Sequence, residues 1–276
     1  MPALELEDGT LWYDERGTGR PLVFLHGAWM DGDAWEHQLG HFAPAYRVVS
    51  PDLRGHGRTG ATAPRRYSVE LFADDLEALL ADLEGEAPIL CGLSLGSMVV
   101  QEYLARHPDA PAAAVLGGPV RSMPPVELPR AMKALARPTA GIAASLSLGG
   151  PTATFRSMLQ AIRAATGGPW IAADPAVRSR AIEAAGEVSR SEFRKIFRAL
   201  YRFDPPDLSH VGTPTLAVYG TDESSLVKRQ GHRIVDSVDR GAVQSIPDAA
   251  HLVNLDRPEA FNATIEGFLE DVGAAA

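Results

Sequence analysis

Cysteine is nearly absent: one residue in 276, so no disulfide can form within the chain and the fold must rest on its core. No apolar run approaches the ~20 residues that a membrane-spanning helix requires. The opening stretch, Met1-Pro-Ala-Leu-Glu-Leu-Glu, lacks the basic start and apolar segment of a secretory signal. These absences predict a cytoplasmic protein with no membrane span. A basic excess is missing too. Lys and Arg number 26 against 35 Asp and Glu, a formal charge of −9, which argues against a nucleic-acid partner. No Gly-rich phosphate loop of the Walker or dinucleotide type is present. His37 and His41 have helical i, i+4 spacing, but no glutamate adjoins them and no third ligand stands out, so surface histidines are expected rather than a metal site. The chemistry proposed from this sequence requires no cofactor.

What remains is a globular composition, 45% hydrophobic and 22% charged, sufficient for a large core. Short apolar runs predict strands near Leu4, Leu11, Leu22 and Arg47, then at Pro88–Cys91, Ala113–Leu116, Pro214–Tyr219 and Ala242–Ile246. Between them, Leu71/Phe72, Leu76, Leu79/Leu80 and Leu83 recur at helical spacing and predict a helix over Val69–Leu83. The alternation predicts an α/β protein: a mostly parallel twisted sheet with helices on both faces.

The chemistry centres on Gly92-Leu93-Ser94-Leu95-Gly96. It lies between the strand Pro88–Cys91 and a helical segment reaching Arg106. A G-x-S-x-G run in that setting reads as an elbow that exposes a nucleophilic serine. Glycine is needed on either side because side chains at 92 and 96 would collide as the backbone reverses. The competing reading makes Ser94 an ordinary helix N-cap. A serine nucleophile needs a base and an orienting acid, in the chain order Ser, acid, His. Asp222 follows the strand ending at Tyr219, and His251 follows the strand ending at Ile246. Glu223 is the nearest rival for the acid. Cys91, one strand position before the elbow, reads as a buried inert thiol.

These residues resemble the α/β-hydrolase fold superfamily, and the likeness runs from about Thr10 to Val272. Leu22-Val-Phe-Leu-His26-Gly27-Ala28-Trp29 is similar to the strand and His-Gly turn that build half of an oxyanion hole. Pro51-Asp52-Leu53-Arg54-Gly55-His56-Gly57-Arg58-Thr59 resembles the D-x-R-G-x-G-x-S turn, with Thr59 where serine is usual. The tail from His251 through Asp256 to Phe261 resembles the passage from a catalytic histidine into a final helix. Ser97 departs from the pattern, since many relatives carry glycine there; it adds bulk to the first helical turn without threatening the nucleophile. The resemblance implies a Ser94-Asp222-His251 triad with oxyanion donors at the backbone N–H of Ala28 and Leu95. His26 and His56 then belong to structural turns.

About a hundred residues separate the strand ending near Leu116 from the one beginning near Thr215, far more than a crossover needs. The insert, residues 121–206, is divided at Pro124-Pro125, Gly149-Gly150-Pro151, Gly167-Gly168-Pro169 and Pro205-Pro206. The resemblance makes it a helical cap on a hydrolase core formed by residues 1–120 and 207–276. Trp29, Met123, Phe155, Trp170, Phe197 and Leu252 are the candidates to contact substrate, with Met132, Met158 and Phe193 also available. The insert carries +7 and the remainder −16. Arg190, Arg194, Arg198 and Arg202 recur every four residues; they form either a solvated face or a ridge that attracts anionic substrates. The expected activity is hydrolysis of a small ester or lactone through an acyl-enzyme, in a monomer or homodimer. Carbon–carbon bond hydrolysis or a lyase reaction on the same triad, or a slow-turnover ligand receptor, are the alternatives.

Overall fold

The computed structural model describes residues 2–123, 138–166 and 170–275. Its centre is a set of runs too apolar to tolerate water on either side. Pro21–Leu25 (β3), Ile89–Leu93 (β5), Ala113–Gly117 (β6) and Thr215–Gly220 (β7) are buried at every position. Arg47–Pro51 (β4) is buried after its first residue. Strands covered on both faces are the hallmark of parallel sheets under helices. The margins differ: Ala3–Leu6 (β1) alternates exposed and half-buried, and Gly241–Ile246 (β8) is largely exposed at the opposite edge. Gly9–Arg16 (β2) completes the set.

The eight strands follow the order β1-β2-β4-β3-β5-β6-β7-β8. From β4 onward all pairings are parallel, whereas β1–β2 and β2–β4 are antiparallel. The chain leaves β3 toward one edge and returns through β5 on the other side, so β3 and β5 are neighbours with Leu25 opposite Gly92. The loops after these two strands diverge at that point, and open α/β sheets place their ligand crevice there.

Among the described residues the α-helices are Glu36–Phe42 (α1), Val69–Leu83 (α2), Leu95–Arg106 (α3), Pro138–Thr166 (α4), Pro175–Glu187 (α5), Arg190–Arg202 (α6), Ser225–Val235 (α7), Val253–Asp256 (α8) and Pro258–Asp271 (α9). Helix α2 starts where Ser68 Oγ accepts the Leu71 N–H and buries Val69, Phe72, Leu76, Leu79 and Leu83. Helix α4 is bent at Gly150, whose φ of 73° is left-handed, with Pro151 following; this is one of the breaks expected from sequence. Helices α4, α5 and α6 arise between β6 and β7 and contribute no strand to the sheet. Pro124-Pro125, Met132 and Gly167-Gly168-Pro169 lie outside the described residues.

One buried ionic cluster fixes the turn after β4. Arg54 forks onto both carboxylate oxygens of Asp75 in α2, at 2.5 and 2.6 Å, and also meets Asp8. Burial alone would lower the guanidinium's pKa, but Asp75 and Asp8 outweigh it and raise it further. Removing Asp75 leaves the buried guanidinium only the partly exposed Asp8, so Asp75→Ala is expected to destabilise the fold by about 3 kcal/mol. Urea unfolding of the two proteins measures it, and a loss below about 1 kcal/mol would disprove it.

Candidate active site

The elbow is built by what its glycines omit. A Cβ on Gly92 would lie 2.3 Å from the Gly96 carbonyl, and one on Gly96 would lie 2.1 Å from the Leu25 carbonyl of β3. Between them Ser94 has φ 54° and ψ −107°, a conformation that non-glycine residues rarely adopt. Ser94 occupies the N-cap position of α3, yet its hydroxyl makes no capping hydrogen bond, so capping does not account for the residue. The buried hydroxyl of Ser97 donates to Ser94 O at 2.7 Å and accepts the Val120 N–H at 3.1 Å. Gln101 Nε2 then donates to the carbonyls of Ser97 and Val120, both at 2.9 Å. The elbow is thereby tied to the loop after β6.

Two buried histidines hold the facing loop after β3. His26 Nε2 accepts the Leu53 N–H and His56 Nε2 accepts the Trp29 N–H, each at 2.9 Å. A backbone N–H can only donate, so both Nε2 atoms are unprotonated and the proton of each ring sits on Nδ1. His26 Nδ1 donates to Gly27 O at 2.8 Å, and His56 Nδ1 to Arg54 O at 3.0 Å. The rings meet edge to face with centroids 4.8 Å apart. Burial lowers both, and beside His26 the His56 imidazole is pushed down to about 3. Thr59 keeps the hydroxyl of the usual serine and accepts the Trp12 N–H at 2.9 Å. For Asp52, burial would raise the carboxyl. The Arg58 guanidinium and the N–H groups of Gly32 and Arg58 prevail and hold it below the usual range.

A depressed folded-state value means the neutral histidine stabilises fully above the unfolded value of about 6.5, and that stability is lost as pH falls toward 3. His56→Gln should therefore unfold at lower urea than wild type at pH 7. The gap should narrow by up to about 1.4 kcal/mol per pH unit below 6.5. A gap independent of pH would contradict the assignment.

At the other wall of the crevice, the turn after β7 and the loop after β8 meet. His251 Nδ1 donates to Glu223 Oε2 at 2.6 Å, and both side chains are buried. The second oxygen, Oε1, accepts the Ser224 N–H at 2.7 Å. This corrects the expectation for Asp222. The Asp222 side chain is exposed, and only its backbone serves the site, through an N–H bonded to Ala249 O at 2.9 Å. The turn rotates the side chain at 222 outward and that at 223 inward. His251 Nε2 is buried and has no hydrogen-bond partner among the described residues.

The histidine loop is also stitched to the residues that precede α5. The His251 and Leu252 N–H groups donate to Trp170 O and Ile171 O at 3.1 and 2.9 Å. The buried Asp256 carboxylate accepts from the N–H of Ala173, Asp174 and Ala250, at 2.8 to 3.0 Å. The Trp170 ring lies 4.6 Å from the imidazole, centroid to centroid, at 32°. In the sequence Asp256 is one acid in a family-like tail, and nothing there marks it as buried.

Ser94 and His251 line one cavity of about 630 Å³. Trp29, Met123, Phe155, Trp170, Phe197 and Leu252 all line it, as does Met158, whereas Phe193 stacks on Trp29 with ring centroids 4.5 Å apart. Ala28 is at the wall, and Leu95 is the first residue of α3, where N–H groups have no helical acceptor. Among the described residues the cavity's polar side chains are Ser94, Ser122, Tyr201, Ser224, Gln230 and His251, set in a mainly apolar lining. The Arg190, Arg194, Arg198 and Arg202 side chains are not in this wall. Arg190, Arg194 and Arg202 are exposed and Arg198 is half-buried, whereas Phe197 and Leu200 of the same helix line the cavity. Cys91 is fully buried in β5, where burial pushes its thiol well up. His37 is exposed and His41 bonds Glu266 at 2.8 Å. No cluster of three potential metal ligands exists among the described residues, and no helix there is long and apolar enough to cross a membrane.

The sheet order, the elbow at its switch point and the facing histidine define an α/β-hydrolase architecture. The chain belongs to the alpha/beta hydrolase family, whose model matches residues 22–264. A non-heme chloroperoxidase of Kitasatospora aureofaciens is 39% identical over 109 residues, a match that spans 39% of this chain and 39% of that relative's length. The (E)-2-((N-methylformamido)methylene)succinate hydrolase of Acinetobacter baylyi is 25% identical over 95% of this chain and 94% of its own. Among solved structures, a thermophilic esterase from Thermogutta terrifontis superposes with a TM-score of 0.80 at 21% identity, covering 99% of both chains.

Proposed function

We propose that this protein is a serine hydrolase of carboxylic esters or lactones, acting through an acyl-enzyme on Ser94. The observation that carries the reading is the buried His251. Its Nδ1 is held by Glu223, its Nε2 is free, and it shares a cavity with the elbow serine. Nε2 takes the hydroxyl proton as Ser94 Oγ attacks the acyl carbon, then delivers it to the departing alkoxide. Glu223 fixes the tautomer and balances the imidazolium charge. The N–H groups of Leu95 and Ala28 stabilise the oxyanion. Water, deprotonated by the same histidine, then releases the acid and restores the serine. In this reading residues 121–206 are a cap that supplies the apolar wall, over a core of residues 1–120 and 207–276.

A burst of nitrophenol from p-nitrophenyl acetate, with an acetyl group found on the Ser94 peptide by mass spectrometry, is the expected result. Turnover without an acyl adduct would overturn it. The likeness to a chloroperoxidase favours a second reading, in which hydrogen peroxide replaces water at the acyl-enzyme and the product is a peracid. Adding peroxide to the same assay and measuring peracid tests that branch.

A further inference from the structure

Leu159, Trp170 and Ile171 line two cavities: the one that holds Ser94 and a smaller, neighbouring pocket of about 260 Å³. The rest of the smaller pocket is formed by Arg156, Gln160, Arg163, Arg178 and Ile182. Among the described residues three guanidinium groups line it and no carboxylate does. Arg156 and Arg163 are seven residues apart on α4, two turns along one face of the helix. Neither has an acidic partner among the described residues. Arg178, on α5, gives Nη2 to the carbonyls of Ala172 and Ala173, at 2.9 and 3.2 Å, while its Nε is buried without an acceptor.

This contrasts with how the chain treats arginine elsewhere. Arg54, Arg58 and Arg106 each meet two carboxylates. In a chain of charge −9, three cations left together in a concavity repel one another and are relieved by an anion from outside. A planar guanidinium fork matches the two oxygens of a carboxylate. Among the described residues, no Lys or Arg side chain lines the cavity that holds Ser94.

We propose that the Arg156, Arg163 and Arg178 pocket is a carboxylate subsite, so that the esters or lactones cleaved at Ser94 carry a free carboxylate at the end remote from the acyl carbon. An aliphatic linker would lie against the shared wall of Leu159, Trp170 and Ile171. This rests on the reading of Ser94 as the nucleophile.

Monoethyl esters of the dicarboxylic acids from succinic to suberic, each compared with its uncharged terminal amide, test the proposal. At the best chain length, kcat/KM for the half-ester should exceed that for the amide about tenfold or more through KM. Arg156→Gln/Arg163→Gln should abolish that preference and leave the amide's rate unchanged. Raising salt from 0.05 to 0.5 M should do the same to the half-ester alone. Equal responses of the two substrates would overturn the subsite. Calorimetry on Ser94→Ala protein separates this from the parent reading. Selective half-ester binding that the arginine substitutions remove supports the subsite even if wild type cleaves neither compound, an outcome that would sink the hydrolase reading alone. Binding without preference overturns the subsite whatever the turnover.

Discussion

Ser94→Ala is expected to lower kcat for p-nitrophenyl acetate by about 10⁴-fold or more, with KM little changed. The hydroxyl makes no helix cap, so its loss removes the attacking atom without removing a support of the fold. The backbone there adds a second, independent expectation. Ser94 is held at φ 54° and ψ −107°, a placement that costs a non-glycine residue about 1–3 kcal/mol. Ser94→Gly should therefore be as inactive as the alanine variant yet more stable than wild type, by about 1 kcal/mol once glycine's greater unfolded-state freedom is deducted. Initial rates and urea midpoints on the same three preparations decide both points. A Ser94→Ala enzyme that retains kcat within about tenfold would remove the nucleophile from the account. A glycine variant less stable than wild type would show that the elbow is not strained.

Much of this architecture is legible in the sequence because parallel strands are covered on both faces. Leu22-Val-Phe-Leu25, Ile89-Leu90-Cys91 and Thr215-Leu-Ala-Val218 can be read as continuous apolar runs, and the structure pairs the first two directly and joins the third to them through β6. Helix Val69–Leu83 has its predicted bounds because Ser68 caps it and a wide apolar stripe is buried. Helix Ser225–Val235 escapes notice. Its buried positions, Val227, Gln230, Gly231, Ile234 and Val235, include two that no hydropathy pattern would select. The arginine spacing along Arg190–Arg202 shows that four cations share a face, but not what that face meets. The pocket that gathers three cations uses Arg156, Arg163 and Arg178 from two other helices, a convergence that only the tertiary fold produces.

The acid shows the same limit at the scale of one residue. Asp222 and Glu223 are adjacent acids at the end of β7, and only the rotation of the turn decides which one points inward. Glu223→Gln is expected to lower kcat by about 10⁴-fold, whereas Asp222→Asn should change it by no more than about threefold. The large effect follows from the two bonds that Glu223 accepts. Oε1 takes the Ser224 N–H and Oε2 takes His251 Nδ1–H. A glutamine has one oxygen for these two donors. If its NH₂ faces Ser224, two donors confront each other in a buried site, and the side chain is driven from its place. If its NH₂ faces His251, Nδ1 must accept, the ring proton moves to Nε2, and the atom that should receive the serine proton is already occupied. Either orientation disables the base while leaving the cavity intact, so KM should move far less than kcat. Asp222 contributes a backbone N–H to Ala249 O, which asparagine keeps. Steady-state kinetics on the two variants give the answer, and a severe loss in Asp222→Asn with a mild one in Glu223→Gln would return the role to Asp222.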